Sequence, residues 1–271
     1  MERCTNLTIV ALVVVLATTA GGTWVVFTYP TESTDSTIPH EGFAGIETDG
    51  GPHQVEGAIY TDGELFVAYD AVIDEDGNGI LIEEYGGDQF TEEKRYGTDD
   101  AVYVMQRTDN VEFAESALAD DEYELLDHEE EDGIYTIVQR NDEFESLHRD
   151  YVVSTERLLA SNTFYTDYER VDTVTEDGEG FGVYEPDESW TIGDWGQGTR
   201  YTNVEGKAVV HNETLEMHEL DVRFDATDAS TYADYHLAAD DDIGTIELVY
   251  AFEETEVDVD RPAWVEPYAE E

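Results

Sequence analysis

Hydrophobic and polar positions fall into three regimes along the chain. Leu7 to Tyr29 forms the first, an apolar run that carries no charge. A membrane-spanning helix needs about 20 such residues, so the run predicts a transmembrane helix over 7–29 with a short cytoplasmic tail at 1–6. It has no polar face, unlike a helix that packs on a globular core. Thr18-Thr19-Ala20 matches a small-residue cleavage site, which makes a cleaved signal peptide the competing reading. Trp24 to Phe27 prolongs the run past that site, as an anchor requires and a signal does not. Arg3 is the only basic residue before Lys94 and points the N-terminus inward, while Trp24 and Tyr29 suit the far interface. Either reading puts the rest of the chain outside the cytoplasm. The expected location is the cell membrane, single-pass, with the bulk extracellular.

The second regime, 30–52, is rich in Thr, Ser, Gly and Pro and reads as a flexible tether, with a first strand placed around Phe43. The third, 53–271, alternates with period two and predicts an extracytoplasmic β-domain. Leu65, Val67, Tyr69, Ala71 and Ile73 share a face. Ile80–Ile82, Val102–Met105, Ile134–Val138, Tyr151–Val153 and Leu158–Val171 follow. Val209-Val210 precedes Leu220, Val222 and Phe224, with Asp221 and Arg223 turned away; then come Ile246, Leu248, Tyr250 and Phe252, and last Val257 and Val259. Turns are expected at Asp76-Gly77, Asn78-Gly79, Gly86-Gly87, Asp132-Gly133, Asp177-Gly178 and Glu205-Gly206. The prediction is mainly β: a meander of about ten antiparallel strands with one or two short helices. The best helix candidate is Asn110–Ala119, capped by Asp109, with Val111, Ala114, Ala117 and Leu118 on one face. No internal repeat supports a propeller or solenoid.

Charge changes this picture most. The chain of 271 residues has 67 Asp+Glu against 12 Lys+Arg, a net charge of −55. Self-repulsion on that scale destabilises a compact state at ordinary salt. At molar salt the screening length falls to about 3 Å. The acid is spread throughout and reads as the solvated coat of a halophilic protein. With 17 Tyr and 10 Phe the chain is no acidic disordered tail. The scarcity of bases excludes nucleic-acid recognition. Cys4 is the single cysteine, so no intrachain disulfide forms, and it precedes the apolar run, where a lipidated cysteine would follow it.

Candidate chemistry is sparse. Asp74, Asp76 and Asn78, followed by Gly79, match the first half of a calcium loop, but Tyr85 stands where a bidentate Glu belongs. An acidic hairpin turn accounts for the same residues, which stay weak metal candidates. The histidines show no HExxH, and Val222 follows His218-Glu219 where a second His would be. There is no GxSxG, P-loop or GxGxxG, and neighbouring carboxylates single out no glycosidase pair. Neither an enzyme nor a cofactor is expected. Asn212-Glu213-Thr214 is a glycosylation sequon on an outward loop.

The last third carries a resemblance. Leu215–Phe224, Ile246–Phe252 and Val257-Asp258-Val259-Asp260-Arg261-Pro262-Ala263-Trp264-Val265, with Asp132–Tyr135 and Val204–Lys207, form a pattern similar to haloarchaeal surface lipoproteins with a LolA/LppX-like fold, over roughly 100–265. The resemblance implies an incomplete antiparallel barrel curved around an apolar cavity, with short helices over its mouth, and a role in holding lipid or acyl chains. This chain departs from the group in having an apolar helix in place of the lipid anchor, which suits local holding better than shuttling. Two functions are expected to compete: a membrane-anchored module for a lipid or other apolar ligand, and a non-catalytic structural or interaction protein of the envelope without a small ligand. A hydrolase with an unrecognised acidic site, or a pilin-like subunit lacking its basic processing site, fits less well.

Overall fold

The computed structural model of the chain describes residues 51–87, 91–142, 147, 168–176, 178–186, 200–214, 216–229, 232–237, 243–254 and 257–269. The expected anchor at 7–29, the tether with Phe43, Tyr151–Val153 and most of Leu158–Val171 lie outside these residues. Among the described residues no helix is long and apolar enough to cross a membrane.

One sheet of 12 antiparallel strands organises the chain. The strands are β1 (His53–Thr61), β2 (Glu64–Ile73), β3 (Gly79–Tyr85), β4 (Thr91–Gly97), β5 (Val102–Thr108), β6 (Glu124–Glu131), β7 (Ile134–Asn141), β8 (Tyr168–Glu176), β9 (Glu179–Pro186), β10 (Arg200–His211), β11 (Met217–Thr227) and β12 (Ile243–Glu254). Their spatial order is β6-β7-β5-β4-β3-β2-β1-β12-β11-β10-β9-β8. The first and last strands pair at the centre, Val55 opposite Phe252 and Ile59 opposite Leu248. The edges, β6 and β8, do not meet, so the sheet is unclosed. Among the described residues two short helices accompany it, α1 (Val111–Leu118) and α2 (Tyr232–Leu237).

The alternation predicted for β2, β11 and β12 is present. Val67, Tyr69, Ala71 and Ile73 are buried, as are Leu220, Val222 and Phe224, while Asp221 and Arg223 are exposed. Two hairpins are tight because Asp62-Gly63 and Asp132-Gly133 both take positive φ, the geometry that matches strand twist in a two-residue turn.

Several expectations need correction. Glu205-Gly206 is no turn: Gly206, at φ 128°, lies inside β10, where the pairing with β11 shifts register after Thr202. A side chain there would strike the Asp221 carbonyl, so only glycine fits; the bulge itself lies just before it, at Asn203 (φ 52°). Val257 and Val259 form no strand. Residues 257–269 cross the opposite side of the sheet, held by Val259 N donating to Asp74 Oδ2 (3.4 Å) and Tyr268 OH donating to Asp127 Oδ2 (2.9 Å). Val265 is fully buried there with Tyr96, Ala101 and Tyr103. In α1 the cap is Asn110, whose side chain accepts from Phe113 N at 3.1 Å, and not Asp109. The helix buries Ala114 while Val111 and Leu118 stay exposed. Its short connection carries the chain past one strand position, so β7 and not β6 lies beside β5.

Candidate functional site

The register sorts the sheet into two faces. We call inner the face that carries Val55, Ala71 and Leu81 in one cross-strand row. Inner residues of β1, β2, β3, β5 and β8 to β12 join a single buried cluster that includes Tyr69, Tyr168, Tyr184, Phe224 and Tyr250. One gap in this face is a glycine pair, Gly79 opposite Gly97. Leu147, from the β7–β8 connection, fills it; its Cβ lies 2.7 Å from where a side chain on Gly97 would begin.

On β3, β4 and β5 the same face turns polar. The row that begins with Gly57 and Tyr69 continues through Glu83, Glu93 and Gln106 to Ile137. Arg95 stands one row along, between Leu81 and Val104. Its guanidinium pairs with both Glu83 and Glu93, and Gln106 Nε2 donates to Glu93 Oε2. Glu83 and Glu93 are each only 5% exposed. Burial pushes the Glu93 carboxyl above the usual carboxylate range, against the opposing pull of Arg95 and Gln106. Beside them Tyr85 is pushed up to about 12, first by burial and then by Glu83 and Glu93. Thr91 and Thr108 close the patch with a buried hydroxyl–hydroxyl bond of 2.8 Å. Two carboxylates thus share one guanidinium, with Gln106 as a further donor, in a patch buried on an apolar face.

Sequence reasoning did not find this patch. Its signal lies in Thr91-Glu92-Glu93-Lys94-Arg95-Tyr96: charges alternate through both faces of a strand that sits between apolar neighbours.

The residues singled out from sequence are dispersed. Asp74 organises the β2–β3 turn: its Oδ1 accepts from Asp76 N and Asn78 N, both at 2.9 Å, and Asn78 Nδ2 donates to its Oδ2 at 3.1 Å. Asp74 and Asn78 thus bond to each other, as an acidic turn requires. Among the described residues no group of three or more His, Cys, Asp or Glu is placed to hold a metal ion. Asn212 is exposed in the β10–β11 turn, and its Oδ1 accepts from Arg170 at 2.6 Å. Three of the histidines, by contrast, are drawn together. Phe181 lies between His211 and His218 (ring centroids 5.3 and 4.6 Å), and Phe252 between His218 and His53 (6.5 and 5.5 Å). Burial lowers the His53 pKa, which favours the neutral ring.

No protein-family model matches the chain, and no curated protein matches it either.

Proposed function

We propose that the chain is a non-catalytic, membrane-anchored extracytoplasmic domain of a halophile that receives an amphiphilic, lipid-like ligand on the inner face of its sheet. The tail would lie along the apolar strands β12, β1 and β2, and the donor-bearing head would meet Glu83, Glu93, Arg95 and Gln106 on β3 to β5. The observation that carries this reading is the charged group on an otherwise apolar buried face. Buried ion pairs are poor stabilisers, because desolvation offsets most of the attraction and apolar replacements of similar size are often as stable. Binding sites, in contrast, are mostly apolar with a few placed polar groups.

The unclosed antiparallel sheet with two short helices agrees with an incomplete barrel of the LolA/LppX-like kind. The apolar run at 7–29 supports the anchor, and the net charge of −55 supports a brine-facing surface. The test is displacement of a polarity-sensitive dye from the full chain in detergent and concentrated salt by a long-chain monoacylglycerol. The hydroxyl-headed amphiphile is expected to displace the dye, and Glu83→Gln/Glu93→Gln to weaken it about tenfold while leaving the alkane of equal length unaffected. Dye that never enters, or displacement indifferent to those carboxylates, overturns the reading.

A further inference from the structure

The opposite, outer face carries a second feature. Across β12, β1, β2 and β3 lies a groove of about 450 Å³. Its floor is small and apolar: Ala58 stands in register with Ala68 on one side, and Glu56 opposite Ala251 on the other strand. Ile82 and Val249 flank the floor and are 36% and 37% exposed.

The charges around this floor are one-sided. Glu56 and Asp70 face each other directly across β1 and β2, and Glu84 lies one row away opposite Ala68. Like charges in direct register destabilise a sheet. Burial, and then Glu56, raises the Asp70 pKa. Among the described residues Glu56 accepts only from Gln54 (3.3 Å), and no base pairs with any of the three carboxylates. The chain's only lysines, Lys94 and Lys207, stand on strands either side of the groove, and each is committed to a different partner: Lys94 to Glu92 at 2.9 Å and Lys207 to Glu219 at 2.8 Å. The groove combines an alanine floor with two carboxylates held in direct register.

We propose that this groove docks a lysine or arginine side chain presented by a partner protein. The aliphatic stem would lie on Ala58, Ala68 and Ala251, and the cationic head would sit between Glu56 and Asp70. Long basic side chains bury their stems on apolar surface while the charge stays at the rim, and the opposed carboxylates provide the complementary charge. A floor of methyl groups leaves room for that stem, where a larger side chain would fill the groove. The inference is independent of the inner face and survives the failure of the ligand reading above.

The test uses the full chain in detergent, labelled at alanine methyl groups, in about 3 M KCl, where general attraction to a polyanion is screened. The probe is acetyl-Leu-Lys-Leu-amide, compared with its Leu-Gln-Leu counterpart. Saturable shifts of the Ala58, Ala68 and Ala251 methyls are expected with the lysine peptide alone. Glu56→Gln/Asp70→Asn should weaken that binding at least tenfold, and should not unfold the sheet, since it removes a repulsion; the remaining alanine methyl spectrum reports this. Glu129→Gln/Glu130→Gln, on the distant edge strand β6, should leave binding intact. No shift, equal shifts with the glutamine peptide, or equal loss in the β6 variant overturns the proposal. Shifts with hexylammonium but not with the peptide would place a small amine in the groove, and also overturn it.

Discussion

Glu93 shows at one residue how the inner face trades stability for polarity. Burial raises its pKa more than Arg95 and Gln106 lower it. The folded chain therefore holds this proton more tightly than the unfolded chain. The group favours folding below the ordinary glutamate pKa, and that contribution is lost as pH rises through the raised folded value. The stability of wild type relative to Glu93→Gln is expected to fall with rising pH across that window. Urea unfolding at fixed high salt over a pH series measures it, and a difference that is flat or grows with pH contradicts the assignment. The glycine pair supplies a second expectation. A methyl on Gly79 would meet the far ends of Ile73 and Leu147, whereas one on Gly97 would meet Leu147 at its Cβ, 2.7 Å away. Gly79→Ala and Gly97→Ala should each cost about 1–3 kcal/mol by overpacking. Leu147→Ala removes one of the two side-chain ends that Gly79→Ala strikes, leaving Ile73, and keeps the atom that Gly97→Ala strikes. Double-mutant cycles should show partial relief for the first pair and none for the second.

At the scale of elements, legibility follows from which faces are apolar. β2, β11 and β12 were readable because one face enters the core and the other meets water, so period two is printed in the sequence. β4 hid because its inward residues include Glu93 and Arg95, and with it went the inner polar patch. β6, Glu-Leu-Leu-Asp-His-Glu-Glu-Glu, is almost wholly exposed at an edge, where acid discourages pairing with another chain. Asp62-Gly63 and Asp132-Gly133 obey turn chemistry, while Glu205-Gly206, an acid–glycine pair too, runs on inside a strand; only the partner strand distinguishes them. Residues 257–269 have the composition of a strand and become a strap because Pro262 and the packing of Val265 favour an irregular path. Val265→Ala should cost about 2 kcal/mol. Hydrogen exchange should then rise in 259–268 and on β4 and β5, with β11 and β12 unchanged; equal loss of protection in β11 and β12 would contradict the strap.

The whole molecule is governed by its charge and by the one-sidedness of its sheet. A net charge of −55 on 271 residues requires screening to remain compact. The midpoint of thermal unfolding should climb steeply as KCl rises from about 0.2 M to about 3 M, where the screening length shrinks several-fold; a midpoint indifferent to salt contradicts a brine-adapted surface. The inner face of this unclosed sheet of 12 strands is a continuous buried apolar cluster, interrupted by the charged patch of Glu83, Glu93 and Arg95 on which the ligand proposal rests. The most direct measurement is mass spectrometry of the full chain purified from the cells that make it, in mild detergent and concentrated salt, with the bound small molecules identified and counted. About one amphiphile with a donor-bearing head per chain is expected, and its depletion in Glu83→Gln/Glu93→Gln. A well-folded chain that is purified with no bound amphiphile, or one that retains the same amphiphile after those substitutions, would contradict the inner face as a ligand-receiving surface.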